Sequence, residues 1–195
     1  VGAIVLLPEK EVREVLSDFS KVFIAAVHTD QECLLAGERQ QVLQLLQLLD
    51  QPFRKLPAIP TLHTPLASHI ADNYRRFHAL PVDTNSVLTW YSGAWGRSFP
   101  LNADHVSDSL MAHGTDGIHL PRVIRQAWAD GFRIFVDCGP GKSMSRIVRE
   151  VLADEDPVVV EMTGPNDELL SFWRGLAYLY TAGCDLRPEF LQKAS

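Results

Sequence analysis

The sequence predicts an α/β chain built in two parts, and three observations carry that prediction. Short aliphatic runs alternate with amphipathic segments from the first residue onward. Over residues 1–58 they follow the order strand, helix, strand, strand, helix, strand, which is the split βαβ pattern of ferredoxin-like folds. Beyond residue 58 strands and helices alternate, as in an α/β layer with parallel pairing.

The elements follow from local pattern. Val1-Gly2-Ala3-Ile4-Val5-Leu6-Leu7 is short and aliphatic, a buried strand. Pro8 and Glu9 open a helix whose apolar face is Val12, Val15, Leu16 and Phe19. Residues 22–27 and 32–36 are strands on either side of the polar turn His28-Thr29-Asp30-Gln31, and Gly37 ends the second. Residues 38–50 form a helix with Val42, Leu45, Leu46 and Leu49 on one side, and residues 53–56 a fourth strand. Further on, the pattern predicts a helix over 66–80, a strand over 86–91, a helix from Asn102 or Asp104 through Met111 and a helix over 120–130. The strand 132–137 then meets the tight turn Gly139-Pro140-Gly141, followed by a helix over 143–152 and a strand over 157–161. Asn166 or Asp167 caps a last helix that ends at Gly183.

The totals exclude several functions. The 195 residues, 46% of them hydrophobic, suffice for a real core. A net charge of -6 with scattered basic residues leaves no footprint for nucleic acid or an anionic membrane. No apolar run reaches the roughly 18 residues of a membrane span, and no signal peptide opens the chain. Cys33, Cys138 and Cys184 are far apart and lack CxxC spacing, so neither a disulfide frame nor a zinc site is expected, and a reducing cytoplasm fits. Val1 begins directly in a strand-like run without a methionine, so the chain reads as part of something longer.

One stretch organises the rest. In residues 56–66, Pro57 and Pro60 hold the backbone extended, and Thr64-Pro65 then opens a helix as N-cap and first helical residue. His63 falls at that junction, a common seat for a catalytic side chain; the plain alternative is a half-buried histidine bonded to a backbone carbonyl. His105 and His113 stand eight apart, not in the i, i+4 pair that binds metal.

The order of motifs resembles the malonyl-CoA:acyl-carrier-protein transacylases and, more closely, the acyltransferase domains of type I polyketide synthases. The segment 27–37, His63-Thr64-Pro65-Leu66 against the family's H-S-P-L, Gly139-Pro140-Gly141-Lys142 against G-P-G-K, and the ending L-x-x-L-Y-x-x-G-x-D from Leu176 to Asp185 carry the resemblance over nearly the whole chain. It implies a ferredoxin-like small subdomain (1–58), the C-terminal part of an α/β-hydrolase-like large subdomain (59–155), and a post-domain strand, helix and linker (156–195). The family's nucleophile, a serine in G-H-S-x-G, is absent here; the resemblance places it upstream, with the arginine that pairs the malonyl carboxylate.

The activity so implied is transfer of malonyl from malonyl-CoA, or of a related acyl group, to the phosphopantetheine thiol of an acyl carrier protein. Neighbouring synthase domains would be partners, and no metal or bound cofactor is needed. His63 is the general base, since imidazole titrates near neutrality. A backbone carbonyl in residues 116–120, that of His119, orients it. Leu62 stands beside the base where extender choice is tracked, and His28 where the family often has asparagine near substrate. Leu62 is bulky enough to crowd an α-methyl branch, which favours malonyl, although one methyl group is worth only ~1–3 kcal/mol. Alone, the chain is expected to be inert.

Rival readings come from the residues themselves. Gly141-Lys142-Ser143 lacks the glycine a phosphate loop needs at position 136, which is valine. Residues 141–145 nearly match G-x-S-x-G between a strand and a helix, so Ser143 with His63 and Asp137 would make a hydrolase; Ser145 replaces the last glycine. A non-catalytic ferredoxin-like interaction module is the remaining alternative.

Overall fold

The structure is a computed structural model that describes residues 1–56, 62–164 and 168–186. Pro57, Pro60 and Thr61, and the expected caps Asn166 and Asp167, lie outside the described residues. Packing divides the chain into two compact units, 1–130 and 131–195.

The first unit opens with β1 (Gly2–Val5), α1 (Glu9–Leu16), β2 (Val22–Thr29), β3 (Glu32–Gly37), α2 (Arg39–Leu49) and β4 (Phe53–Leu56). These are the six elements expected from the sequence, in the expected order. The sheet runs β4-β1-β3-β2 with every pair antiparallel, the split βαβ topology. Alternation along the strands sorts the apolar side chains to two faces. Ala3, Val5, Cys33 and Leu35 face α1 and α2, where Val12, Val42 and Leu45 are fully buried. Ile4, Leu34 and Ala36 line the other face with Ala25 and Ala26. A register shift between Ile24 and Ala26 lets β2 change the parity of its side chains and still return Val27 to the α1–α2 core.

Beyond position 61 the local reading needs correction at four points. The helix expected over 66–80 is a 3-10 helix, Pro65–Ile70, leading into α3 (Ala71–His78). The His69 ring donates to the Leu66 carbonyl (2.9 Å), which competes with the α-helical pattern in that turn. The strand expected over 86–91 is instead a hairpin of β5 (Trp90–Ser92) and β6 (Arg97–Phe99), so Val87 is left almost wholly exposed. Helix α4 (Ala103–Thr115) is capped by Asn102, which accepts the His105 amide (2.8 Å), and it runs past Met111 to Thr115. The two-residue β7 (Ile118–His119), invisible to periodicity, joins the main sheet parallel to β2, and α5 (Leu120–Ala129) follows it.

The second unit holds β8 (Ile134–Asp137), α6 (Ser143–Val151), β9 (Val158–Glu161) and α7 (Glu168–Thr181). Strands β8 and β9 pair in parallel, as expected. Ile147, Val148, Val151 and Leu152 bury the inner side of α6 and its end. Gly175 brings α7 close to β9: a Cβ there would stand 2.6 Å from the Met162 sulfur and 3.1 Å from the Glu161 carbonyl oxygen.

Candidate active site

His63 takes φ +63°, the left-handed region that costs a non-glycine residue about 1–2 kcal/mol. Two hydrogen bonds hold it there. Its backbone N–H donates to the Gly114 carbonyl (2.7 Å), and its ring Nδ1–H donates to the His113 carbonyl (2.5 Å). Both acceptors belong to the last turn of α4, whose carbonyls have no helical partner of their own. In its neutral form the ring therefore keeps its proton on Nδ1, which leaves the lone pair on Nε2, the nitrogen opposite its mount. Thr64, fully buried, accepts the Ala67 amide (3.0 Å) and begins the 3-10 helix directly after the histidine.

The orienting carbonyl is that of His113, not of His119 as the resemblance implied. The reason is the longer α4: its free carbonyls reach His63, whose single Nδ1–H goes to that of His113, whereas His119 lies in β7, paired with β2. Two glycines make room for this seat. A Cβ on Gly117 (φ +87°) would stand 3.2 Å from the carbonyl oxygens of both Ile24 and Ala25 and 3.5 Å from that of His63. A Cβ on Gly93 would stand 2.9 Å from the His113 ring.

The other candidates have contacts of their own. Leu62 packs in a crevice with Ala67, Tyr74, Met111 and Gly114, between the 3-10 helix, α3 and α4. His28 donates from Nδ1 to Glu32 (2.7 Å) at the end of the β2–β3 hairpin. The His119 ring accepts the Arg122 amide at Nδ1 (3.3 Å), capping α5, and donates from Nε2 to Glu9 (3.3 Å). Burial, with Arg122 nearby, pushes His119 below its ordinary value. Burial raises the Glu9 carboxyl, but Arg13 and His119 outweigh it and hold it low. Burial pushes the Cys33 thiol up to about 12, which removes it as a nucleophile at neutral pH. In the second unit both Asp137 oxygens are taken: Gly139 donates to one (3.1 Å), and the amide and hydroxyl of Ser145 to the other (3.0 and 2.8 Å). Asp137 thus ties down the turn before α6, and Ser143 is that helix's first residue. No metal-binding cluster occurs, and no helix is long and apolar enough to cross a membrane, among the described residues.

Known proteins share this architecture. The acyltransferase domain from the second module of the salinomycin polyketide synthase superimposes with a TM-score of 0.82 at 23% identity, over 94% of this chain and 44% of that one. The malonyl-CoA:acyl carrier protein transacylase of Xanthomonas oryzae pv. oryzae gives 0.77 at 19% identity, over 89% and 57%. The chain has the acyltransferase fold. It spans about half the length of these solved acyltransferases. In sequence it is 28% identical over 100 residues, half of its length, to a polyunsaturated fatty acid synthase polypeptide of Thraustochytrium sp., and covers 3% of that protein. No family model matches it.

Within the acyltransferase fold, sequence reasoning missed His113, Gly114 and Gly117. Ala-His-Gly-Thr at 112–115 reads as a helix stop on propensity, which hid the carbonyls that seat His63. Gly117 carried the only available signal: an isolated glycine beside a short apolar pair often marks close backbone approach.

Proposed function

We propose that the chain is the C-terminal part of an acyltransferase that moves malonyl, or a related acyl group, from coenzyme A to the phosphopantetheine thiol of an acyl carrier protein. The observation that carries this reading is the mounting of His63. Its Nδ1–H is committed to the His113 carbonyl, and that leaves Nε2 to accept a proton. The nucleophilic serine is supplied by a segment outside this chain, as are the groups that stabilise the oxyanion.

As the serine oxygen attacks the thioester carbonyl, Nε2 of His63 takes its proton. Collapse of the tetrahedral intermediate breaks the C–S bond, and the imidazolium returns the proton to the departing coenzyme A sulfur. The carrier thiol then attacks the acyl-serine, giving its proton to the same nitrogen, which passes it to the serine oxygen. The His113 carbonyl favours the imidazolium at each transfer by accepting from Nδ1 throughout.

In this reading residues 1–58 act as the small subdomain, 59–155 as part of the large one and 156–195 as the segment leading to the next synthase domain. Leu62 limits the acyl branch beside the base, and His28 contacts the acyl or pantetheine group. The engagement of Asp137 with Ser145 and Gly139 disfavours the hydrolase alternative, which needs that carboxylate for His63.

The test is the coding sequence upstream of Val1 together with an assay of its product. An in-frame G-H-S-x-G about a hundred residues earlier, with malonyl transfer to a carrier protein by the longer polypeptide and none by residues 1–195 alone, is the expected result. A reading frame without that motif, or turnover by the chain alone, overturns the proposal.

A further inference from the structure

The geometry points to a binding site for a phosphate monoester in the second unit, in a cleft of about 690 Å³ between β9, α6 and α7. On the α7 side, Ser171, Arg174 and Tyr178 fall three and four residues apart, so one helical face presents a hydroxyl, a guanidinium and a phenol to the opening. Arg174 is exposed and makes no hydrogen bond or ion pair among the described residues. From the facing wall come Lys142, at the start of α6, and Arg149, two turns along it.

Glu161 lies on the floor and bridges these two, 3.0 Å from the Lys142 Nζ and 3.0 Å from the Arg149 guanidinium. Among the described residues, three cations against one carboxylate leave the cleft with two positive charges in excess, on a chain whose net charge is -6. Two charges match the dianion of a phosphate monoester near neutral pH, whose second pKa is about 6. The donors suit it too. A guanidinium fork serves two phosphate oxygens at once, and Lys142, Arg149 and Tyr178 approach from other directions, as a tetrahedral group with three free oxygens requires. Leu170 and Val159 supply apolar wall for the organic part of the ester. Glu161 offsets one of these cations while the cleft is empty and opposes the ligand's charge when it is full.

This site owes nothing to the acyl-transfer reading, and its test leaves that reading untouched. The experiment is titration of the 195-residue chain with inorganic phosphate, then phenyl phosphate, followed by amide and guanidinium NMR at pH 7.5 and matched ionic strength. Saturable shifts centred on Gly164, Arg174, Gly175 and Tyr178 are expected, with sodium acetate and sodium chloride giving none that saturate. Arg174→Gln, an exposed substitution, is expected to weaken phosphate at least about tenfold. Glu161→Gln is expected to tighten it. Equal responses to acetate or chloride, an unchanged affinity in Arg174→Gln, or weaker binding in Glu161→Gln would each overturn the proposal.

Discussion

Gly117 shows how much of the site rests on single residues. Its φ of +87° and its closeness to two β2 carbonyls leave no place for a side chain, so Gly117→Ala is expected to destabilise the first unit by about 1–3 kcal/mol in urea unfolding. A neutral result would show that the 113–119 segment is not pressed against β2. In the core, Leu45 is fully buried between sheet and helices, and Leu45→Ala is expected to cost about 2–5 kcal/mol. His63 itself was legible as a junction histidine from Thr64-Pro65 alone. Its partner was not, because the bond to His113 crosses fifty positions and depends on where α4 ends.

At the scale of elements, α5 is held at its start by a neutral ring. The His119 Nδ1 can accept the Arg122 amide only while unprotonated, and burial with Arg122 depresses its titration in the fold. A depressed histidine contributes stability that is complete above its ordinary value near 6.5 and is lost as pH falls through its lower folded value. Glu9 is also depressed, so its contribution is complete above about 4.5 and fades only at lower pH. Stability of the first unit is therefore expected to decline in two steps on acidification, and His119→Gln should remove the upper one. Urea midpoints that fall equally in both proteins between pH 7.5 and 5.5 would contradict this. The elements legible in the sequence were those with a period of their own, β1 to β4 with α1 and α2 above all. Strands β6 and β7 span three and two residues, too few to show alternation, and their existence depends on partners elsewhere in the chain.

Across the molecule, apolar burial is uneven. Most of the fully buried aliphatic side chains lie before residue 47, whereas Phe77, Leu80, Val87 and Leu88 in the first unit and Val136, Leu169 and Tyr180 in the second are widely exposed. The two-stranded parallel sheet of the second unit is an arrangement usually buried on both faces. Amide exchange is accordingly expected to be slowest in β1 and β3 and much faster in β8 and β9; uniform protection would contradict that. The fold class could be read from the order of elements, and the solved acyltransferases share it while extending over about twice the length. The most direct measurement of the central claim is the rate of malonyl transfer from malonyl-CoA to carrier protein by the longer polypeptide proposed to contain this chain, with His63 intact and as His63→Ala. A loss of about 10²–10⁴-fold with the fold preserved is the result expected of a general base. Transfer at the unaltered rate would show that His63, however well mounted, is not the group that takes the proton.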